Sequence, residues 1–269
     1  MGEASASISA VEFKSRIGTR GSPLVFDVRR EQAYADAKAT VPTARWRDHR
    51  LADLWGRDLP GGRDVVVYCV HGHQVSQAAA ALLRGLGIRA RYLEGGIEAY
   101  LNSGGPTVAR SAMSAGWSDR PSRWVTRERP KIDRIACPWF IRRFIDSQAQ
   151  FHYVASEWVK DAAAELNAIP FDIPGVEFSH RDDRCSFDTF LKAFAVEEPA
   201  LDRLAAIVRG ADTGRLDLTP QSAGLLALSL GLSATCPDDL EMLEQGMALY
   251  DWLYGWCRTE AMQREGIVR

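Results

Sequence analysis

Asp64-Val65-Val66-Val67-Tyr68-Cys69-Val70-His71-Gly72-His73-Gln74-Val75-Ser76 decides the fold of the first half of this 269-residue chain. From Val65 to Cys69 it is apolar and rich in β-branched side chains, the composition of a strand buried on both faces of a parallel sheet. From Val75 to Leu86, Ala78, Ala79, Leu82, Leu83 and Leu86 recur at helical spacing, and Gly85 and Gly87 mark the C-terminal end. Strand, tight turn and helix thus follow one another, with Cys69 at the first junction.

Working outward, Pro23 to Val28 is a second buried-strand candidate and Ile88 to Leu93 a third, followed by a Gly95-Gly96 turn into a helix through Tyr100. Strands alternating with helices of this length predict βαβ units and a mostly parallel sheet flanked by helices, an α/β domain over residues 1–105. Ser103, Gly104, Gly105, Pro106, Ser111, Ser114, Gly116, Ser118 and Pro121 make 106–122 a linker. Residues 123–269 read as a helix-rich α+β domain. Strands are expected at Arg123–Thr126, Phe151–Val154 and Val176–Phe178. Helices are expected from Pro138, at Ser156–Leu166, Leu201–Val208 and Gln221–Leu230, and at Asp238–Trp256 with Leu243, Met247, Tyr250 and Leu253 or Tyr254 facing the core.

The chain has 33 Lys and Arg against 35 Asp and Glu, a net charge of −2, so nothing global points to nucleic acid or an anionic membrane as partner. The first half shows neither a helix-turn-helix pattern nor a basic stripe. The longest apolar run, Gly224 to Leu232, is far short of the ~20 residues a bilayer requires. Met1 to Ala10 lacks the pattern of a signal peptide. Five scattered cysteines do not form a disulfide framework, so a reducing cytoplasm is the expected location.

Cys69 closes a strand and opens a loop that ends at a helix N-terminus. Backbone N–H groups in such a turn stabilise negative charge on sulfur, lowering a thiol pKa or cradling the outer sulfur of a persulfide. Val70, His71, Gly72, His73, Gln74 and Val75 form the substrate-binding loop: Gly72 permits the curl, and His71 and His73 add positive charge when protonated. The Cys-x-His-x-His spacing also permits a metal site, with no fourth ligand nearby. Alternatively Cys69 is a small buried hydrophobe at a strand end.

Asp27-Val28-Arg29, Val67-Tyr68-Cys69 with its Gly72-containing loop, and Leu93-Glu94-Gly95-Gly96 before Tyr100 resemble, in this order, the rhodanese (sulfurtransferase) superfamily over roughly residues 8 to 105. The resemblance implies a cysteine that takes sulfur from a small-molecule donor and passes it to a thiol or cyanide acceptor. Many rhodaneses carry Arg at the sixth loop position, where this chain has Gln74, so a fixed cation for thiosulfate is missing there. A phosphatase would need Arg directly after a five-residue spacer, and that place holds Val75.

From Trp124 onward, Trp124 to Trp139, Phe171 to His180 and Arg209-Gly210-Ala211-Asp212-Thr213 look like the C-terminal domain of ChrB-type chromate-resistance proteins, a likeness that implies a role in resistance to or sensing of chromate. Arg127, Arg129, Lys131 and Arg134 are candidates to attract an oxyanion such as chromate, or else a solvated basic face. Cys137, before Pro138 at an expected helix start, is a candidate thiolate, or else a buried cap residue. Glu177, His180 and the distant Asp212 are a candidate set for a divalent metal, iron, manganese or zinc. Spacing of three on an extended segment puts Glu177 and His180 on opposite faces, so they share a metal only if the chain turns. Otherwise these groups join a salt-bridge network with Arg181, Arg184 and Arg209. Together the two halves predict a sulfurtransferase acting in chromate stress, with no cofactor indicated beyond that divalent metal in the second half. The alternative is a non-catalytic sensor of chromate or metal whose first half is a redox or interaction module.

Overall fold

Val65, Val66, Val67 and Tyr68 are buried on both sides, and the pleat sends them alternately to two cores. Val66 and Tyr68 pack with Ile8, Phe13, Val25, Leu93 and Tyr100, whereas Val65 and Val67 pack with Leu24, Phe26, Ala79, Ala80 and Leu83. Each such side chain contributes about 1.5–3 kcal/mol on leaving water, which is why a continuous apolar run, with no polar alternation, forms this strand. The computed structural model describes residues 5–113 and 120–264, with side chains through 259. It divides into two compact units, residues 1–120 with 143–147 and residues 121–142 with 148–269.

In chain order the first unit contains β1 (Ser7–Ile8), α1 (Ala10–Arg16), β2 (Leu24–Asp27), α2 (Glu31–Ala35), β3 (Ala39–Thr40), β4 (Arg45–Trp46), α3 (Ala52–Trp55), β5 (Val65–Tyr68), α4 (Gln74–Gly85), β6 (Ala90–Leu93), α5 (Gly96–Asn102) and β7 (Val108–Ala109). Strands order as β1-β6-β5-β2-β4, every neighbouring pair parallel, giving the expected flanked α/β sheet. Asp27, at the end of β2, is buried with Arg29, which forks onto it through Nε at 3.0 and 2.9 Å. The Tyr68 hydroxyl donates to the same carboxylate at 2.9 Å. The Asp-Val-Arg landmark therefore locks the ends of β2 and β5 together, directly below Cys69.

Part of the stretch read as a linker is structured. β7 pairs antiparallel with β3, and the Tyr100 hydroxyl donates to the Pro106 carbonyl at 2.9 Å. Residues 114–119 of that stretch lie outside the described residues.

The second unit contains β8 (Arg123–Arg127), α6 (Asp133–Phe140), β9 (Gln150–Val154), α7 (Val159–Leu166), β10 (Ile169–Pro170), α8 (Ser186–Phe194), α9 (Pro199–Asp212), α10 (Pro220–Thr235) and α11 (Asp239–Arg264). Its parallel sheet orders as β10-β8-β9. The strand expected at Val176–Phe178 is not formed. Phe178 makes one isolated bridge to Phe171 and turns its ring into an aromatic cluster with Trp124 and Phe190, centroids 5.4 and 4.5 Å away. The helix expected to open at Pro138 instead begins at Asp133. A proline inside a helix deprives the carbonyl four residues back of its donor. Here that carbonyl, of Arg134, accepts the Tyr153 hydroxyl at 2.9 Å. On α11, Leu243, Met247, Tyr250 and Tyr254 face the core as expected. No helix among the described residues is long and apolar enough to cross a membrane.

Candidate functional site

Cys69 follows β5 directly. Its carbonyl accepts the Ile97 amide at 3.0 Å and the Val70 carbonyl accepts the Glu98 amide at 3.3 Å, so the start of α5 holds the loop by its oxygens. Among the described residues, no protein acceptor takes the amide hydrogens of Val70 to Ser76. Gly72 curls the loop at φ +70°, where a Cβ would lie 2.5 Å from the Leu93 oxygen and 2.6 Å from the Gly95 nitrogen. Cys69 is 6% exposed and borders a cavity of about 750 Å³, and its Sγ lies 3.2 Å from Ser76 Oγ. The sulfur is thus neither sealed in apolar packing nor free in solvent.

The other expected loop residues, Val70, His71, His73, Gln74 and Val75, also line this cavity. His71 Nδ1 pairs with Glu98 at 3.0 Å, and His73 occupies the N-cap of α4. The two histidines do not converge with Cys69 into a metal-ligand group. Arg29 and Arg30 line the cavity as well. Arg29 is committed to Asp27, but Arg30 is exposed and supplies a cation where Gln74 does not. Sequence reasoning passed over Arg30, although it directly follows the Asp-Val-Arg landmark.

In the second unit, His180 Nε2 stands 3.0 Å from Asp212 Oδ2, 3.4 Å from Asp133 Oδ2 and 3.4 Å from Asp172 Oδ1. Glu177 is not part of this group. The chain bends at Val176 and Glu177 and again at Ser179, on either side of the buried Phe178, and leaves Glu177 exposed in a separate cavity with Arg181, Arg184 and Asp188. Its place is taken by Asp133, the first residue of α6, which sequence spacing gave no reason to select. Asp172, just beyond β10, is the second carboxylate missed.

Asp133 is fully buried and burial drives its carboxyl well above the ordinary value, while the three carboxylates that face His180, of Asp133, Asp172 and Asp212, favour the cationic form of its ring. Asp172 is kept low: burial opposes ionisation, but donors from His180, Ser186 and Arg127 outweigh it. Two of the group's residues neighbour or occupy unusual backbone: Ile132, a β-branched residue, sits at φ +37° and Asp172 at φ +54°.

Arg127, Lys131 and Arg134 border the same cavity of about 320 Å³ as His180, Asp172 and Asp212, so parts of two separately expected clusters share one cavity. Arg127 pairs with Asp172 at 2.9 Å, and Arg134 approaches it at 3.4 Å. Arg129 does not join them. Its guanidinium takes the carbonyls of Cys236 and Pro237, both at 3.0 Å, and of Ser233, closing the end of α10. The network expected around His180 forms elsewhere: Arg209 and Arg184 pair with Asp188 at 2.7 and 3.4 Å. Cys137 lies inside α6, fully buried. Burial and then the charge of Asp133 push its thiol well up, which removes it as a thiolate.

Residues 9–103 match the rhodanese-like domain and residues 124–257 match the family described as ChrB, C-terminal domain. Protein ChrB of Cupriavidus metallidurans is 34% identical over 134 residues, 49% of this chain. The chain spans 40% of the length of that relative. A rhodanese-related protein from Thermoplasma volcanium is 25% identical, covering 39% of this chain and 98% of its own, with a TM-score of 0.34. A rhodanese homolog from Thermus thermophilus is 30% identical, covering 28% of this chain and 80% of its own, with a TM-score of 0.24.

Proposed function

Because one chain joins a rhodanese-like domain to a ChrB C-terminal domain, we propose that it is a sulfurtransferase acting in chromate stress, with Cys69 as the sulfur carrier. The observation that carries this reading is the cysteine on the wall of an open cavity, at the mouth of a turn whose amides have no protein acceptor. In the first half-reaction the Cys69 thiolate attacks the sulfane sulfur of a donor. The donor's bond to that sulfur breaks, its remainder leaves with the electron pair, and a persulfide forms on Cys69. A thiolate acceptor, or cyanide, then attacks the outer sulfur and Cys69 leaves as thiolate. No external oxidant is consumed. The amides of Val70 to Ser76 stabilise the anionic sulfur in both states, and the thiol pool so charged supplies reducing equivalents against chromate. Five free cysteines suit a reducing compartment, the cytoplasm.

Incubating the full chain with a sulfane-sulfur donor is expected to add one sulfur atom to Cys69, located by mass spectrometry, and to support transfer to cyanide or a small thiol. Cys69→Ser is expected to do neither. If wild type and variant are equally inactive with thiosulfate, polysulfide and persulfide donors, the enzyme assignment is lost.

A second reading is favoured by the cavity that Arg127, Lys131 and Arg134 share with His180: the ChrB-like half receives an oxyanion such as chromate and the protein acts as a sensor. Equilibrium binding of chromate to the full chain tests it. Saturable binding weakened in Arg127→Ala supports the sensor, and none sinks it.

A further inference from the structure

We propose that Asp133, His180 and Asp212 bind a divalent transition-metal cation of the manganese, iron or zinc type, with Asp172 as a positioning residue. This site is independent of the chemistry at Cys69. Three segments distant in the chain deliver the ligands: the start of α6, the stretch beyond β10 and the last residue of α9. One donor atom from each lies within 4.8 Å of the others. Donors bound at ~2.1 Å around one ion stand ~3 to 4 Å apart, so a small inward movement completes the shell.

The arrangement without a cation leaves chemistry unfinished. A single Nε2–H points in one direction in the ring plane and can make one good hydrogen bond. Three carboxylates nevertheless converge on that nitrogen, Asp212 at 3.0 Å and the other two at 3.4 Å. Asp133 is fully buried, and although its Oδ2 accepts the Ser186 amide at 2.5 Å, its Oδ1 has no partner of any kind. A buried carboxylate oxygen with an unused lone pair is costly, and Asp133 presents its other oxygen, Oδ2, to the point where a cation would meet it together with Asp212.

The surroundings are those of supported ligands. Asp172 is committed twice, to the Ser186 hydroxyl at 2.7 Å and to Arg127 at 2.9 Å, so it orients His180 and leaves ligation to the other two. Ile132, strained at positive φ beside Asp133, is held by the Tyr250 hydroxyl on its carbonyl at 2.9 Å. One imidazole with two carboxylates, and no thiolate in the group, suits borderline to hard cations over copper(I). The cavity beside the ligands leaves room for water or a small anion on the ion's open side, next to Lys131.

The test is equilibrium titration of the full metal-stripped chain with Mn²⁺ and with Zn²⁺, with elemental analysis after dialysis. One ion per chain is expected, and electron-spin-echo spectra of the Mn²⁺ form are expected to carry nitrogen modulation from one imidazole. Affinity is expected to fall at least tenfold in His180→Gln and in Asp212→Asn, and to stay unchanged in Glu177→Gln and in Cys69→Ser. Circular dichroism verifies that each variant is folded. No saturable uptake by wild type overturns the site, as does Mn²⁺ binding without nitrogen modulation. Undiminished binding by folded His180→Gln and Asp212→Asn also overturns it. The wild-type measurements decide the matter even where a variant fails to fold.

Discussion

The Sγ of Cys69 lies 3.2 Å from the Oγ of Ser76, a buried hydroxyl in the first turn of α4 whose other neighbour is the His73 carbonyl at 3.3 Å. One hydroxyl proton serves one acceptor at a time, and an anionic sulfur competes better for it than a neutral carbonyl. Ser76→Ala removes that donor without opening the fold. A hydrogen bond to a charged group contributes about 1.5–3 kcal/mol. Alkylation of Cys69 by iodoacetamide, and sulfur transfer through it, are therefore expected to slow about tenfold or more. Equal alkylation rates in the two proteins would show that Ser76 contributes nothing to the anion.

Gly72 and the turn at Gly96 press backbone against backbone. A Cβ on Gly72 would strike Leu93 O, Gly95 N and Gly96 N, while one on Gly96 would strike the carbonyl oxygens of Val70 and Cys69. Both glycines also have positive φ. Neither contact can be relieved by rotating a side chain, so Gly72→Ala and Gly96→Ala are each expected to cost about 3 kcal/mol or more in urea unfolding. A loss under about 1 kcal/mol would mean the loop has room to move, and the cradle at Cys69 would lose its rigidity.

What was legible in the sequence was local. The run from Val65 to Tyr68 and the helical spacing after Val75 each carry their own signal within a few residues, and the Cys69 loop lies between them. The second site was half legible. His180 and Asp212 stand out as donor types, but Asp133 joins them only because Ile132 adopts a positive φ and turns α6 to begin there, which no periodicity announces. Glu177 was drawn in by mere proximity in sequence to His180. Pro138 misled in the same way: it usually opens a helix, and its tolerance inside α6 depends on Tyr153 reaching across from β9.

Arg30 and Gln74 both line the Cys69 cavity. With Arg30 the exposed cation there, Arg30→Ala is expected to raise KM for an anionic donor such as thiosulfate about tenfold, the order of one charge-assisted hydrogen bond. A neutral donor should be little affected and kcat nearly unchanged. Gln74→Arg places a cation at the sixth position of the loop and should lower KM for thiosulfate. Steady-state kinetics on the four proteins, the double variant included, decide this. A KM indifferent to both positions would remove charge from the account of donor choice.

Cys69, Cys137 and Cys185 are all buried, and Cys69 borders an open cavity. Burial pushes the Cys137 and Cys185 thiols well up, and nearby Asp133 adds to the effect at both. In native protein near neutral pH, iodoacetamide is therefore expected to label Cys69 and to spare Cys137 and Cys185, which should react only after denaturation. Peptide mapping after a timed pulse reads this directly. Labelling of Cys137 at the rate of Cys69 would mean that α6 opens readily, against its full burial.

Asp64 ties two elements of the first unit together, taking Arg16 from the end of α1 at 2.9 Å and Arg89 from the turn before β6 at 3.0 Å. The Arg16 hydrogen bond is the main reason its carboxyl is held below the ordinary value, with Arg89 adding to it against partial burial. A carboxyl lowered by folding stabilises the folded state above its unfolded value, ~3.9, and loses that contribution as pH falls through the folded one. With the pair about a third exposed, water screens it, and Asp64→Asn is expected to cost roughly 1 kcal/mol at pH 7. The difference from wild type should persist to about pH 5, shrink below pH 4 and vanish at the acid limit, as read from urea midpoints across pH. A difference that stayed constant down to that limit would assign the effect of Asp64→Asn to packing and not to charge.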